Sequence, residues 1–138
     1  MDDAERFDNL LAVLDELREA NEETPIVVEG SRDVVSLRAL GFTGHIIPLH
    51  SGEPIFQVGE AIAAQADEVV ILTDWDMKGQ QLFEALRTAL AANGTRADGK
   101  FRDRLRHWIR PTLKDVESLA GYVQKGLERF HGKDLADL

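Results

Sequence analysis

Three acidic residues follow short apolar runs of this sequence, and their spacing is suited to binding a metal ion. Glu29 comes directly after the run IVV, and Asp74 and Asp76 follow the run EVVIL. Residues i and i+2 of an extended chain face the same way, so both aspartates can reach one cation while Trp75 turns to the opposite side. Mg²⁺ prefers hard oxygen ligands, commonly one or two carboxylates together with substrate phosphates. The pattern therefore indicates a magnesium site.

Each of these carboxylates also has a simpler interpretation. An aspartate between a strand and a helix often caps the helix, and this applies to both Asp74 and Asp76. Glu29 could pair with Arg32 or with Lys78. A carboxylate at the end of an apolar strand is costly to bury alone, however, and beside other acids it is suited to general acid or base catalysis or to sharing the metal.

Two glycines and a lysine accompany the acidic residues. Gly30 has no side chain at a point where a phosphate would have to come close, and the same is true of Gly79 at the start of a predicted helix. Free N–H groups and the helix dipole favour an anion there. Lys78, in the same turn, either touches a phosphate or is solvated. Ordinary turn chemistry would explain both glycines as well.

Strand and helix patterns alternate along the chain, which predicts an α/β fold with a mainly parallel sheet of about four strands. We expect a single domain over 1–138 with its core at about 25–110, and helices 4–20 and 115–130 packed on that core. In such sheets ligands bind beyond the carboxyl ends of the strands, where the three acids are expected. The predicted strands are 26–28, 45–49, 68–72 and, at an edge, 95–98; the predicted helices between them are 32–40, 54–65, 78–92 and 101–109.

Composition limits the possible functions. The 138 residues include 43% hydrophobic residues, enough for one core, and there are no cysteines for disulfides or thiolate metal sites. We see no apolar run long enough to span a membrane and no basic, apolar signal segment, so we expect a cytoplasmic protein without a membrane partner. The net charge of −9 disfavours a simple nucleic-acid-binding module, because such modules bind by neutralising phosphates.

A short basic segment stands out in this acidic chain. It could hold a nucleic-acid backbone beside the metal, or it could be a solvated helix face paired with the surplus acids. Phe101 and Trp108 in this segment are expected in the core rather than stacked on bases. The candidate phosphate-binding residues are Lys100, Arg102, Arg104, Arg106 and Arg110, with His107 among them.

The segments VVEGSRD at 27–33 and LTDWDMKG at 72–79 resemble the two motifs of the Toprim superfamily. That superfamily includes domains of primases, topoisomerases, RecR-type proteins, OLD nucleases and the ribonuclease that matures bacterial 5S ribosomal RNA. With ALGFTGHII at 39–47 and KDVESL at 114–119, the chain is most similar to small stand-alone archaeal Toprim proteins. The resemblance implies a Rossmann-like Toprim fold and Mg²⁺, or Mn²⁺, as cofactor. It also implies that Glu29 acts as general acid or base or as a ligand, while Asp74 and Asp76 bind the metal.

Two functions follow from the resemblance. The first is a nuclease acting on RNA or DNA. The second is a non-catalytic module that binds nucleic acid or a larger nucleic-acid-processing complex, and Ser31 favours it somewhat because relatives often have lysine there. Arg32 could supply the missing charge. A topoisomerase would need a reactive tyrosine, which nothing in the surroundings of Tyr122 indicates. A receiver-like phosphoacceptor domain would need a lysine after a fifth strand, which the sequence does not show.

Overall fold

Four short parallel strands form the centre of the molecule. The computed structural model describes residues 1–50, 52–109 and 111–138. The strands lie in the order β2-β1-β3-β4, all parallel to their neighbours. The predicted α/β fold and its edge strand are confirmed. The strand bounds are Ile26–Val28 for β1, Ile46–Pro48 for β2, Glu68–Ile71 for β3 and Arg96–Asp98 for β4.

Helices cover both faces of the sheet, and the predicted N-terminal helix is present. No helix in the described parts of the chain is long and apolar enough to cross a membrane. A short 3₁₀ turn at Leu135–Asp137 follows the last helix. The helices are α1 (Asp3–Asn21), α2 (Ser31–Ala39), α3 (Ile55–Ala63), α4 (Met77–Ala92), α5 (Lys100–Trp108) and α6 (Leu119–His131).

Alternate strand residues point to opposite faces, and this produces two hydrophobic cores. The larger core joins strand residues such as Val28 and Leu72 to side chains from α1, α2, α5 and α6. The smaller core joins Val27 and Ile71 to side chains from α3 and α4. The central strands β1 and β3 are therefore buried on both faces, as expected inside a parallel sheet, whereas the edge strands β2 and β4 are partly exposed.

Two details of the predicted elements are wrong. The last helix begins at Leu119 rather than at 115, because Asp115 accepts a hydrogen bond from the Ser118 N–H in a turn and Val116 is buried before the helix starts. The apolar pattern of the predicted helix 32–40 also places Val35 on the inner face, but Val35 is 68% exposed. The inner face of α2 is instead formed by Asp33, Ser36, Leu37 and the capping Leu40, at spacings of three and four residues.

Candidate metal and phosphate site

The candidate site lies where the strand order of the sheet reverses. From β1 the chain passes to β2 on one side, whereas β3, on the other side of β1, passes to β4. A crevice forms at such a point beyond the carboxyl ends of the strands. Here it is a cleft of about 490 Å³ whose lining includes Glu29 from the end of β1 and Asp74 from the loop after β3. Glu29 and Asp74 thus lie together at the sheet edge where the sequence predicts the site.

Glu29 and Asp74 are oriented by backbone N–H groups. Glu29 Oε2 accepts a hydrogen bond of 2.7 Å from the Asp74 N–H. Asp74 Oδ1 accepts one of 3.0 Å from the Val116 N–H. Because each carboxylate has two oxygens, these bonds fix the side chains while leaving capacity for a proton or a cation.

Asp74 is the most electrostatically perturbed of these acids. Burial raises its pKa to about 7, and the neighbouring carboxylates of Glu29 and Asp33 add to the shift, against the lowering effect of the Val116 N–H. The pKa of Asp33 is also raised, mainly by burial. A cluster of acids that holds a proton near neutral pH is one that a cation can stabilise, and perturbed carboxyls of this kind are frequent at functional sites.

Asp76 occupies a different position from Asp74. It is exposed, and its Oδ1 caps α4 by accepting a hydrogen bond of 2.7 Å from the Gly79 N–H. The alternative interpretation of Asp76 as a helix cap is thus confirmed. Among the residues that the structure describes, no group of three acidic or histidine side chains forms a metal cage. The expected convergence of Glu29, Asp74 and Asp76 on one point is not seen.

The donor set nevertheless fits magnesium. Mg²⁺ keeps several waters and needs only one or two protein carboxylates, so a complete cage of side chains is not required. Asp74, with the help of Glu29 or Asp76, would supply those oxygens. Bound there, the ion would polarise a phosphate oxygen and offset the negative charge that develops on it.

Arg102 was predicted to bind nucleic acid, but it is buried, with only 2% of its surface exposed. Its guanidinium donates to the carbonyls of Thr73 (3.0 Å) and Asp74 (2.6 Å) and to Gln80 Oε1 (2.8 Å). These bonds hold the loop after β3 from inside the protein. Arg102 therefore does not belong to an exposed basic surface; it positions Asp74.

Trp75 and the segment before α6 complete the support of this loop. The Trp75 backbone N–H donates to the Lys114 carbonyl (2.8 Å), and its indole Nε1 donates to the Arg102 carbonyl (3.0 Å). The indole packs against the larger core. Together with the Val116 bond to Asp74, these contacts tie residues 114–116 to the site.

The two glycines of the site have different roles. A Cβ on Gly79 would lie 1.9 Å from the Asp74 carbonyl oxygen, so α4 can approach the loop only if this residue lacks a side chain. A Cβ on Gly30 would meet nothing within 4 Å. Gly30 thus leaves open space at the cleft, which is what a closely approaching phosphate would need, whereas Gly79 serves internal packing.

Positive charge reaches the cleft from two side chains. Arg32 and Lys78 both line it, and Ser31, which takes the place of the frequent lysine, lines it as well. Arg32 pairs with Glu117 at 3.4 Å, and both side chains are largely exposed. An exposed pair of this length contributes little stability, so Arg32 can exchange Glu117 for a phosphate at low cost.

The other basic residues are dispersed. Arg104 forms an ion pair with Glu16 of α1, and Lys100 lies near the end of β4. Arg106 lines a second cavity together with Lys114 and with Trp75, which belongs to the loop between β3 and α4 (the acidic loop). Arg110 lies outside the described residues. The described basic residues therefore do not form one continuous surface; Arg102 contacts the site from inside the protein, and Arg106 lies in a cavity beside Trp75.

Sequence reasoning missed three contributors. Asp33 is buried at the third position of α2, where its Oδ2 accepts from the Gly30 N–H (3.0 Å); an acid three residues after a helix cap is the signal that could have found it. Val116 acts only through its backbone, for which a sequence carries no signal. Glu117, whose reach was left open, lines the cleft.

Comparison with known proteins now identifies the family. A family model described as "Toprim domain" matches residues 23–98. The chain belongs to the Toprim family. The matched part of this Toprim protein contains Glu29, Gly30, Asp74, Asp76 and Gly79, whereas Arg102 and Val116 lie beyond it.

The Toprim chain is similar over most of its length to proteins of archaea. It is 37% identical over 124 residues to a UPF0292 protein of Methanocaldococcus jannaschii, covering 89% of this chain and 96% of that one. It is 40% identical over 126 residues to one of Pyrococcus horikoshii, covering 91% and 92%. A solved structure of a protein from Aquifex aeolicus has a TM-score of 0.66 at 26% identity, covering 78% of this chain and 94% of that one.

The resemblance to small archaeal Toprim proteins is thereby confirmed, as is the fold. Toprim domains in general depend on magnesium and serve nucleic-acid metabolism, and the family assignment supports a function of that general kind.

Proposed function

We propose that this protein is a magnesium-dependent nuclease that cleaves phosphodiester bonds of RNA or DNA. Asp74 and Asp76 hold the metal, and Glu29 moves the proton. The proposal is supported mainly by the pair formed by Glu29 and Asp74. Both residues follow neighbouring strands, and they meet in an open cleft. Burial raises the pKa of Asp74 to about 7.

The chain's own residues have separable tasks in this proposal. Arg32 and Lys78 orient the phosphate by direct contact from the cleft lining. Glu29 lies on the same lining, and its carboxyl can donate a proton to the departing oxygen or accept one from the attacking water. Arg102 and the Val116 N–H keep Asp74 in place, so that little reorganisation is needed when the substrate binds.

The second cavity supports a path for the nucleic-acid strand. Arg106 and Lys114 line it beside Trp75, which separates the two aspartates in the sequence. Cations beside an aromatic ring are suited to a phosphate backbone and its bases. A strand that contacts both the cleft and this cavity would thus meet Arg32 and Lys78 in the cleft and Arg106 and Lys114 in the cavity.

The chain permits a sharp test of the metal assignment, because asparagine caps a helix as well as aspartate does. Asp76→Asn keeps the cap of α4 but removes the charge. Asp2→Asn is the matched control, since Asp2 caps α1 through the Glu5 N–H (2.8 Å) away from the site. We expect Mg²⁺-dependent cleavage of single-stranded and structured RNA and DNA to fall about tenfold or more for Asp76→Asn. Asp2→Asn should leave the cleavage unchanged.

Cleavage by wild type that continues in EDTA would refute the metal-dependent mechanism. Equal cleavage by Asp76→Asn and wild type would assign Asp76 to capping alone. Glu29→Gln, which keeps the size of the side chain, should abolish turnover while Mn²⁺ still binds.

A non-catalytic Toprim module is the second candidate. It is favoured by the uncharged Ser31 in the cleft and by the Glu117 carboxylate, which competes for Arg32. The same assays decide between the two candidates. Metal-dependent binding of nucleic acid, with the substrate intact across all RNA and DNA samples, would support the module and reject the nuclease.

A further inference from the structure

The cleft that holds Glu29 and Asp74 has two chemically different walls. One wall comes from the ends of β1 and β3 and the first turn of α2, and it carries Glu29, Asp74 and Arg32. The other wall is apolar and belongs to the α3–α4 side of the sheet, where its side chains join the smaller hydrophobic core. The apolar wall consists of Leu49, Ile55, Val58 and Leu82.

The apolar wall is only partly covered by the protein itself. Ile55, Val58 and Leu82 keep partial exposure although they touch the core. Phe56 is 63% exposed and Met77 78% exposed on the first turns of α3 and α4, the two helices that form this wall. A cleft lined by apolar side chains in one part and by charged side chains in another is typical of a site for a ligand with one polar and one apolar end.

We propose that the cleft holds one unpaired nucleotide, with its base against the apolar wall and its phosphate towards the carboxylate wall. This inference rests on the proposed function for the position of the metal and phosphate, and it adds the substrate class, single-stranded nucleic acid. His50 and Glu53, which also line the cleft, offer polar atoms to the edges of the base.

The size and shape of the cleft favour this ligand. A volume of about 490 Å³ lies within the roughly 300–1,000 Å³ range of small-molecule sites. A base stacked inside a duplex cannot turn its face to a protein wall without leaving the stack, which costs a few kcal/mol. An unpaired base meets no such cost. The apolar wall therefore favours single strands, because it contacts the face of an unpaired base, and the metal alone cannot make this contact.

The test compares binding of 5′-AMP with binding of ribose 5-phosphate, which has the same phosphate and sugar but no base. Calorimetric titration is done in Mg²⁺ with wild type, Val58→Gln and Val35→Gln. Val35 is the matched control, a valine exposed on α2 that does not line the cleft. We expect 5′-AMP to bind wild type about tenfold more tightly than ribose 5-phosphate, because only the nucleotide buries apolar surface.

Val58→Gln should remove most of this preference without weakening ribose 5-phosphate, and Val35→Gln should retain it. If Val58→Gln lowers the melting temperature, Ile55→Ala at the cleft opening replaces it as the test. Equal affinity for the two ligands, no binding of either, or an unchanged preference in both cleft variants would overturn the inference.

Cleavage assays separate this inference from the proposed nuclease function. A base preference without cleavage of any substrate would reject the nuclease and keep the nucleotide site. Equal cleavage of a single strand and of the same strand in a duplex, with no preference for 5′-AMP, would keep the nuclease and reject the nucleotide site.

Discussion

At the scale of single residues, the protein holds the Asp74 carboxyl group in a place where its ionised form is unfavourable. Its side chain accepts a hydrogen bond from Val116, and its carbonyl accepts one from Arg102. The residue is thus fixed from two directions while burial and nearby carboxylates oppose its ionisation. Without a cation this arrangement lowers the stability of the folded protein, and a bound cation would offset the repulsion between the carboxylates.

This cost predicts a pH dependence of stability. The pKa of Asp74 is raised from 3.8 to about 7 in the folded protein, so the folded state holds the proton more tightly than the unfolded state. The resulting stabilisation is complete below about pH 4 and is lost as the pH rises towards 7. Asp74→Asn cannot ionise and should lack this decline, which urea denaturation in EDTA between pH 4 and 8 would measure.

Asp2→Asn is the control for the pH series, because Asp2 is an exposed helix cap at the N-terminus. The free energy of unfolding of Asp74→Asn minus that of wild type should increase as the pH rises from about 4 to 7. A difference that stays constant over this range would contradict the assignment of the shifted group to Asp74.

At the scale of elements, the loop between β3 and α4 is the part that sequence and packing constrain most. Thr73 Oγ1 donates to the Gly79 carbonyl (2.8 Å), and Asp76 caps the helix through the Gly79 N–H. The first turn of α4 therefore folds back on the loop that carries Asp74. The loop before α2 is less constrained at Gly30, whose missing side chain leaves open space.

This difference predicts that substitution by alanine destabilises the protein at Gly79 but hardly changes its stability at Gly30. Gly79→Ala should destabilise the protein by about 1–3 kcal/mol, the usual cost of overpacking, because its Cβ would collide with the Asp74 carbonyl. That cost exceeds the gain of about 1 kcal/mol that alanine brings in a helix. Gly30→Ala should change stability by no more than about 0.5 kcal/mol. Urea denaturation of both variants checks this, and equal stabilities would contradict it.

At the scale of the whole molecule, net charge and local charge act in opposite directions. The chain carries −9 overall, which repels a nucleic acid at long range. Near the site the cations are Arg32, Lys78, Arg106 and Lys114. Under the proposed function, binding of nucleic acid would therefore depend on a few local contacts and the metal rather than on a broad basic face.

The salt dependence of binding should reflect this small number of contacts. If all four cations reach phosphates of a single strand, the slope of log K against log salt is about −3, from roughly −0.7 per phosphate. We therefore expect a slope no steeper than about −3 for a fluorescent single-stranded oligonucleotide in constant Mg²⁺ with increasing NaCl. A much steeper slope would indicate an additional basic surface.

The sequence predicted that Glu29 and Asp74 lie at one edge of the sheet, but it did not predict the contacts that hold the loop of Asp74. Glu29 and Asp74 could be placed because strand ends of a parallel sheet meet at one edge. Arg102 was misassigned because a basic residue near other basic residues gives no sign of being buried, and its partners are backbone carbonyls. The start of α6 was misplaced because residues 114–116 follow the Asp74 loop instead of continuing the helical pattern.

The contacts that hold the acidic loop determine when the candidate site can form during synthesis of the protein. Glu29 and Asp74 leave the ribosome early, but Arg102 and Val116, which hold the Asp74 loop, are synthesised after them. A chain that ends at residue 98 contains the whole matched family segment and all four strands, yet it lacks the contacts that Arg102 and Val116 make with the loop of Asp74. The candidate site is therefore completed only after the last strand has been synthesised, when α5 and the segment before α6 have packed against the loop.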